Sequence, residues 1–145
     1  MNEYDFIIYT RGFYDNSTGS GKWIALITKE KRIIKVLKGK KEKINEARIQ
    51  LIAVANALSQ TQKGNRLLFI CDSQYVTNAI LRNWYTNWKN KGWITNQGTQ
   101  VQNQDIWNYF INIISKFELN IDIRWYQDYE EAPIGKKMKA LVAEL

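Results

Sequence analysis

Residues able to do chemistry are few in this chain, and one of them stands at a telling place. Leu67 to Cys71 form an apolar run of five, short enough for a strand buried on both faces. The run stops at Asp72-Ser73, two good helix caps, so Asp72 falls at the carboxyl edge of a central strand, where open α/β sheets hold their reactive groups. Capping a helix is the simpler use of the same aspartate. The lone cysteine, Cys71, lies inside the run and reads as a buried structural thiol, which excludes a disulfide scaffold and suits a reducing cytoplasm. There is no histidine, so Ser-His and Cys-His nucleophiles and His-ligated metals are excluded. Any metal chemistry would have to be carried by carboxylates.

Charge points elsewhere. The 145 residues carry 21 Lys and Arg against 14 Asp and Glu, a net charge of +7. Residues 29–43 hold eight basic residues (Lys29, Lys31, Arg32, Lys35, Lys38, Lys40, Lys41, Lys43) against Glu30 and Glu42, a net +6. Such a stripe suggests a polyanion partner; a solvated surface hairpin has the same composition. With 45% apolar and 13% aromatic residues the chain is expected to fold as one domain with a real core. No apolar run approaches the ~20 residues of a membrane span, and no charged-then-apolar leader opens the chain. A cytoplasmic protein without membrane partners is expected.

The elements that must position Asp72 follow from patterning. Residues 4–10, 23–28 and 33–37 read as strands of an antiparallel meander, with residues 15–22 as a loop. A helix over about 45–60, capped by Asn45, buries Leu51, Val54, Ala55 and Leu58 at the 3.6 period. After Asp72 a short helix runs to about Arg82. Residues 83–100 form a tract of their own, with Trp84, Trp88 and Trp93 among Lys89, Lys91 and Gly92. A helix follows with Ile106, Phe110, Ile113, Ile114 and Phe117 as its stripe. Leu119, Ile121, Ile123 and Trp125 alternate with polar residues as a half-buried strand, and a basic helix spans 136–145. The order β-β-β-α-β-α-α-β-α fits an α/β fold with a mixed five-stranded sheet flanked by helices.

Taken together, these segments resemble the type-1 ribonuclease H family, with the basic handle of its bacterial members. Ile8-Tyr9-Thr10-Arg11-Gly12 is similar to the family's first strand, which ends Thr-Asp-Gly. Ala47-Arg48-Ile49-Gln50-Leu51 is similar to its Asn-Arg-Met-Glu-Leu, and Asp72-Ser73-Gln74-Tyr75-Val76 matches its third motif unchanged. Trp84 to Trp93 resembles the handle, and Asn103 to Trp107 the segment after it. The resemblance implies three antiparallel strands followed by parallel ones, and a site of four carboxylates holding two Mg²⁺ ions for RNA-strand hydrolysis.

At those four positions this chain carries Arg11, Gln50, Asp72 and, in the last helix, Lys139. Three ligands are missing, and the four side chains sum to +1. Hard divalent cations between fixed positive charges are opposed by Coulomb repulsion, so no metal or other cofactor is expected. Asp72 is expected to be tied electrostatically to Arg11, Lys139 or both. The leading expectation is a pseudoenzyme that binds an RNA/DNA hybrid or duplex through Gln74, Asn78, Trp84, Trp88, Lys89, Lys91 and Trp93, with Arg11 and Lys139 meeting a phosphate. The handle's tryptophans packing against one another is the plainer alternative. A second possibility is a protein-interaction module whose old catalytic face is closed by an Arg11–Asp72 pair. A third, an active nuclease using Asp15, Asp128, Glu130 and Glu131, conflicts with the ~3.5–4 Å metal separation such sites require.

Overall fold

The computed structural model describes residues 3–145. The sheet has the order β3-β2-β1-β4-β5, built from β1 (Phe6–Asp15), β2 (Ser20–Lys29), β3 (Arg32–Lys41), β4 (Arg66–Cys71) and β5 (Asn120–Trp125). β1, β2 and β3 are antiparallel, while β1–β4 and β4–β5 are parallel, the arrangement the resemblance implies. The helices are α1 (Glu46–Leu58), α2 (Gln74–Leu81), α3 (Trp84–Asn90), α4 (Gln104–Lys116) and α5 (Pro133–Val142). None of the described helices is long and apolar enough to cross a membrane.

The sheet is covered on both sides, and β2 records it: Trp23, Ala25 and Ile27 join one core while Ile24 and Leu26 join the other. That is why this strand reads as a continuous apolar run. The larger core lies under α1, with Trp107 and Phe110 of α4 wholly buried. Asn45 caps α1 as expected, its side chain accepting from Arg48 N at 2.9 Å. The smaller core lies under α5, which supplies Met138 and Val142. Arg11, Ile24 and Lys38 form one cross-strand row. Arg11 bonds Gly135 O in the first turn of α5 and Lys38 Nζ bonds Leu141 O in its last, both at 3.0 Å. The helix therefore crosses three strands along that row.

Several expectations need correction. β1 and β2 extend into the expected 15–22 loop and leave only residues 16–19 as its turn, because pairing continues to Asp15–Ser20. Residues 84–90 form the additional helix α3. The last helix starts earlier, at Pro133, whose missing N–H costs nothing in a first turn. Trp125 is exposed, since β5 is an edge strand with little packed outside its end. The basic stripe lies largely on the opposite edge, β3, where exposed lysines discourage strand-to-strand association. Lys35 and Lys38 there also bond Gln60 and Glu144.

Gly135 is the tightest point in the docking of α5: a Cβ there would lie 1.8 Å from Tyr129 O. Gly135→Ala should destabilise the protein by ~1–3 kcal/mol or more in urea titrations. Hydrogen exchange should show α5 losing protection before the sheet does.

Candidate functional site

β1 and β4 leave their parallel ladder together at Thr10 and Cys71, which places Arg11 and Gly12 beside Asp72. Capping of α2 belongs to Ser73, whose hydroxyl accepts from Val76 N at 3.1 Å, so Asp72 is not the cap. Asp72 Oδ2 accepts from Gly12 N at 3.0 Å, while Oδ1 is buried without a partner. Burial pushes this carboxyl up to about 7; the Gly12 N–H and the Arg11 charge oppose the rise, and Glu46 adds to it. Cys71 is an inert buried thiol, pushed up to about 12 chiefly by desolvation.

Arg11 is only 5% exposed. Its guanidinium sits 4.4 Å from the Phe13 ring centroid and 5.2 Å from that of Tyr129. Nη1 donates to Gly135 O, and Nη2 to Glu130 Oε1 at 2.7 Å. Lys139 is exposed and reaches only Glu130, at 3.8 Å. Asp72 forms an ion pair with neither cation, so the expected Arg11–Asp72 closure by a direct pair is corrected, while the expected electrostatic tie to Arg11 persists as a through-space interaction. The reason is direction. Arg11 points to the α5 side of the sheet, where a carbonyl, a carboxylate and two rings meet its donors and faces.

Gln50, on the second turn of α1, packs on Gly12, with its Cγ 2.9 Å from where a Gly12 Cβ would stand. Positions 11, 50 and 72 thus gather as the resemblance implies. The α5 residue touching Arg11 is Gly135, one turn before Lys139. Glu46 went unremarked in the sequence; it lies one turn before Gln50 on α1, and only the folded chain brings it near Asp72.

The donor set does not fit a pair of magnesium ions. Asp72 is the one carboxylate among the four positions, and Gln50 offers at best a neutral amide oxygen. Among the described residues no three His, Cys, Asp or Glu side chains come together as a metal-holding group. Asp15 is engaged locally, accepting from Ser17 N and Oγ. Glu130 faces Arg11 and Lys139.

The family model for RNase H matches residues 3–131. This chain belongs to the ribonuclease H family. It is 31% identical over 147 residues to the Ribonuclease H of Wolbachia pipientis wMel, covering 98% of this chain and 99% of that one. It is 32% identical over 118 residues to the Ribonuclease H of Caldicellulosiruptor saccharolyticus, covering 79% and 81%. Among solved structures, the foamy viral protease-reverse transcriptase in complex with dsDNA superposes with a TM-score of 0.74 at 16% identity, covering 98% of this chain and 91% of that one. The solution structure of the PFV RNase H domain gives 0.67, also at 16%, covering 99% and 93%. Those two likenesses establish the fold.

The handle-like tract of this ribonuclease H relative is partly structural. Trp93 is 8% exposed, held at φ 66° with its N–H donating to Trp88 O at 2.7 Å, so it is a core residue and no contact for a ligand. Trp88 is half-buried, stacked 6.5 Å from Tyr75 and edge-on 5.9 Å from Trp107. Trp84 is half-buried against Trp88, and the Arg82 guanidinium lies 5.9 Å from one of its rings. Lys89 and Lys91 are exposed, with Lys91 Nζ donating to Asn96 at 2.9 Å. Gln74 is exposed at the start of α2, and Asn78, one turn on, is half-buried. The packing alternative therefore accounts for Trp88 and Trp93, and leaves Trp84, Lys89, Lys91, Gln74 and Asn78 at the surface in whole or part.

A pH dependence follows from Asp72. Its folded value of about 7 lies above an unfolded one of ~3.9, so between these limits the folded state holds the extra proton and stability falls as pH rises. Asp72→Asn keeps an oxygen for the Gly12 N–H and removes this penalty. At pH 8 it should stabilise the protein by on the order of 2 kcal/mol, and the difference should close by pH ~4 in denaturant titrations.

Proposed function

We propose that this ribonuclease H family member binds nucleic acid, an RNA/DNA hybrid or a duplex, without hydrolysing it. The carrying observation is Arg11: a cation buried in protein contacts stands where the family places its first metal-binding carboxylate. Gln50 and Lys139 extend the loss, leaving Asp72 as the one carboxylate among these positions. Relatives named Ribonuclease H supply the expectation of hybrid recognition, and the net charge of +7 with the surface lysines of α3 and its following loop supports it. The contact surface is assigned to Gln74, Asn78, Trp84, Lys89 and Lys91. Arg11 is withdrawn from direct phosphate contact for as long as Glu130 covers its outer donor.

A protein partner is the second reading, favoured by one observation. β3 is an unpaired edge ten residues long, with Ile34 54% exposed and Val36 39% exposed; its lysines discourage pairing with a like strand, so the partner it suits is an acidic, extended segment.

Purified protein with Mg²⁺ or Mn²⁺ should leave an RNA/DNA hybrid intact in a gel assay. Metal-dependent cleavage that disappears in Asp72→Asn would overturn the first reading.

Hybrid affinity should fall steeply with salt. Lys89→Ala should flatten the slope of log K against log salt by about one unit. Trp84→Ala should weaken binding by ~1–3 kcal/mol if a base stacks there. Unchanged affinity in both variants would favour the strand-edge partner.

A further inference from the structure

We propose that the Glu130 carboxylate occupies a phosphate site formed by Arg11 and Lys139, and that a nucleic-acid phosphate displaces it. This rests on the nucleic-acid reading above and names how the former metal site takes part in it. Glu130 belongs to the segment between β5 and α5, and its side chain is 62% exposed although Arg11 lies 2.7 Å away and Lys139 3.8 Å away. The two cations differ in kind. Arg11 cannot follow a departing carboxylate, because Gly135 O and the rings of Phe13 and Tyr129 hold its guanidinium from behind. Nη2 is the donor that Glu130 occupies. Lys139 stands at the surface on a flexible stem and can close over a new anion. Removal of Glu130 therefore exposes one preorganised donor and one adaptable one, the pairing that suits a phosphate oxyanion. Release of Glu130 leaves the buried Arg11 charge without its carboxylate, a cost that an incoming phosphate oxygen offsets by taking Nη2 in its place.

The test compares Glu130→Gln with wild type, using a short RNA/DNA hybrid across a salt series and inorganic phosphate as a separate probe in calorimetry. Glu131→Gln, a neighbouring exposed carboxylate, controls for a general gain of positive charge. Glu130→Gln should bind the hybrid about three- to tenfold more tightly, with a slope of log K against log salt steeper by roughly one unit. Glu131→Gln should change less, and Glu130→Gln combined with Lys139→Ala should lose the gain. Equal gains in the two glutamine variants, or a gain that survives loss of Lys139, would overturn the proposal. So would unchanged affinity in Glu130→Gln while wild type binds. If wild type binds no hybrid, the nucleic-acid reading fails and the phosphate probe decides the rest. Phosphate bound by Glu130→Gln and not by wild type sustains the covered site, and phosphate bound by neither removes it.

Discussion

The burial of one guanidinium constrains this structure more than any other single interaction. A buried cation needs partners for its charge and donors, and Arg11 finds them for Nη1 and Nη2 in parts of the chain more than a hundred residues away, while Nε stays buried without one. Phe13 comes from its own strand, Tyr129 and Glu130 from the loop after β5, and Gly135 O from α5. The contact thus fixes where the last loop and helix sit. Tyr129 is anchored a second time, its hydroxyl donating to Ile70 O at 2.5 Å, and Lys38 holds the other end of α5. Cations near a helix C-terminus are also favoured by its dipole. In a family whose site joins these elements through carboxylates and metal ions, a protein cation here joins β1 to α5 directly.

Asp72 shows the other side of the same change. The carboxylate accepts a bond from Gly12 N, yet its remaining oxygen has no partner, because Arg11 gives its donors to Gly135 O and Glu130. Raised titration in a cleft commonly marks function, but here desolvation leads and the nearby charges oppose one another. An unpaired group retained under these conditions costs stability.

Much of the scaffold was legible because it follows local rules. The apolar run ending at Asp72, the Asn45 cap and the 3.6 period of α1 each depend on neighbours in sequence, and each stands in the structure. Arg11, Gln50 and Asp72 could be brought together from their motifs. Arg11's actual partners could not, since no periodicity links residue 11 to residues 129–135. Trp93 looked like a surface aromatic among lysines and is buried because positive φ at Gly92 and Trp93 turns the chain inward, which composition does not reveal. Lys139 was placed at the fourth position by the resemblance, where the motif is loosest. The helix begins at Pro133 and meets β1 through Gly135, one turn before Lys139.

That one-turn difference bears on whether the change could be reversed. Replacing Arg11 by aspartate and Gln50 by glutamate would add two carboxylates near Asp72, and both positions have the geometry for it. Lys139 lies on an exposed turn of α5, where it pairs with Glu130. At Gly135, the residue that touches position 11, any side chain meets Tyr129 O at 1.8 Å. Admitting one requires moving the 126–132 loop, and Arg11 is what holds that loop to β1. Arg11 is thus both a group of the site and a contact that docks α5, so a carboxylate introduced at position 11 alters packing as well as charge.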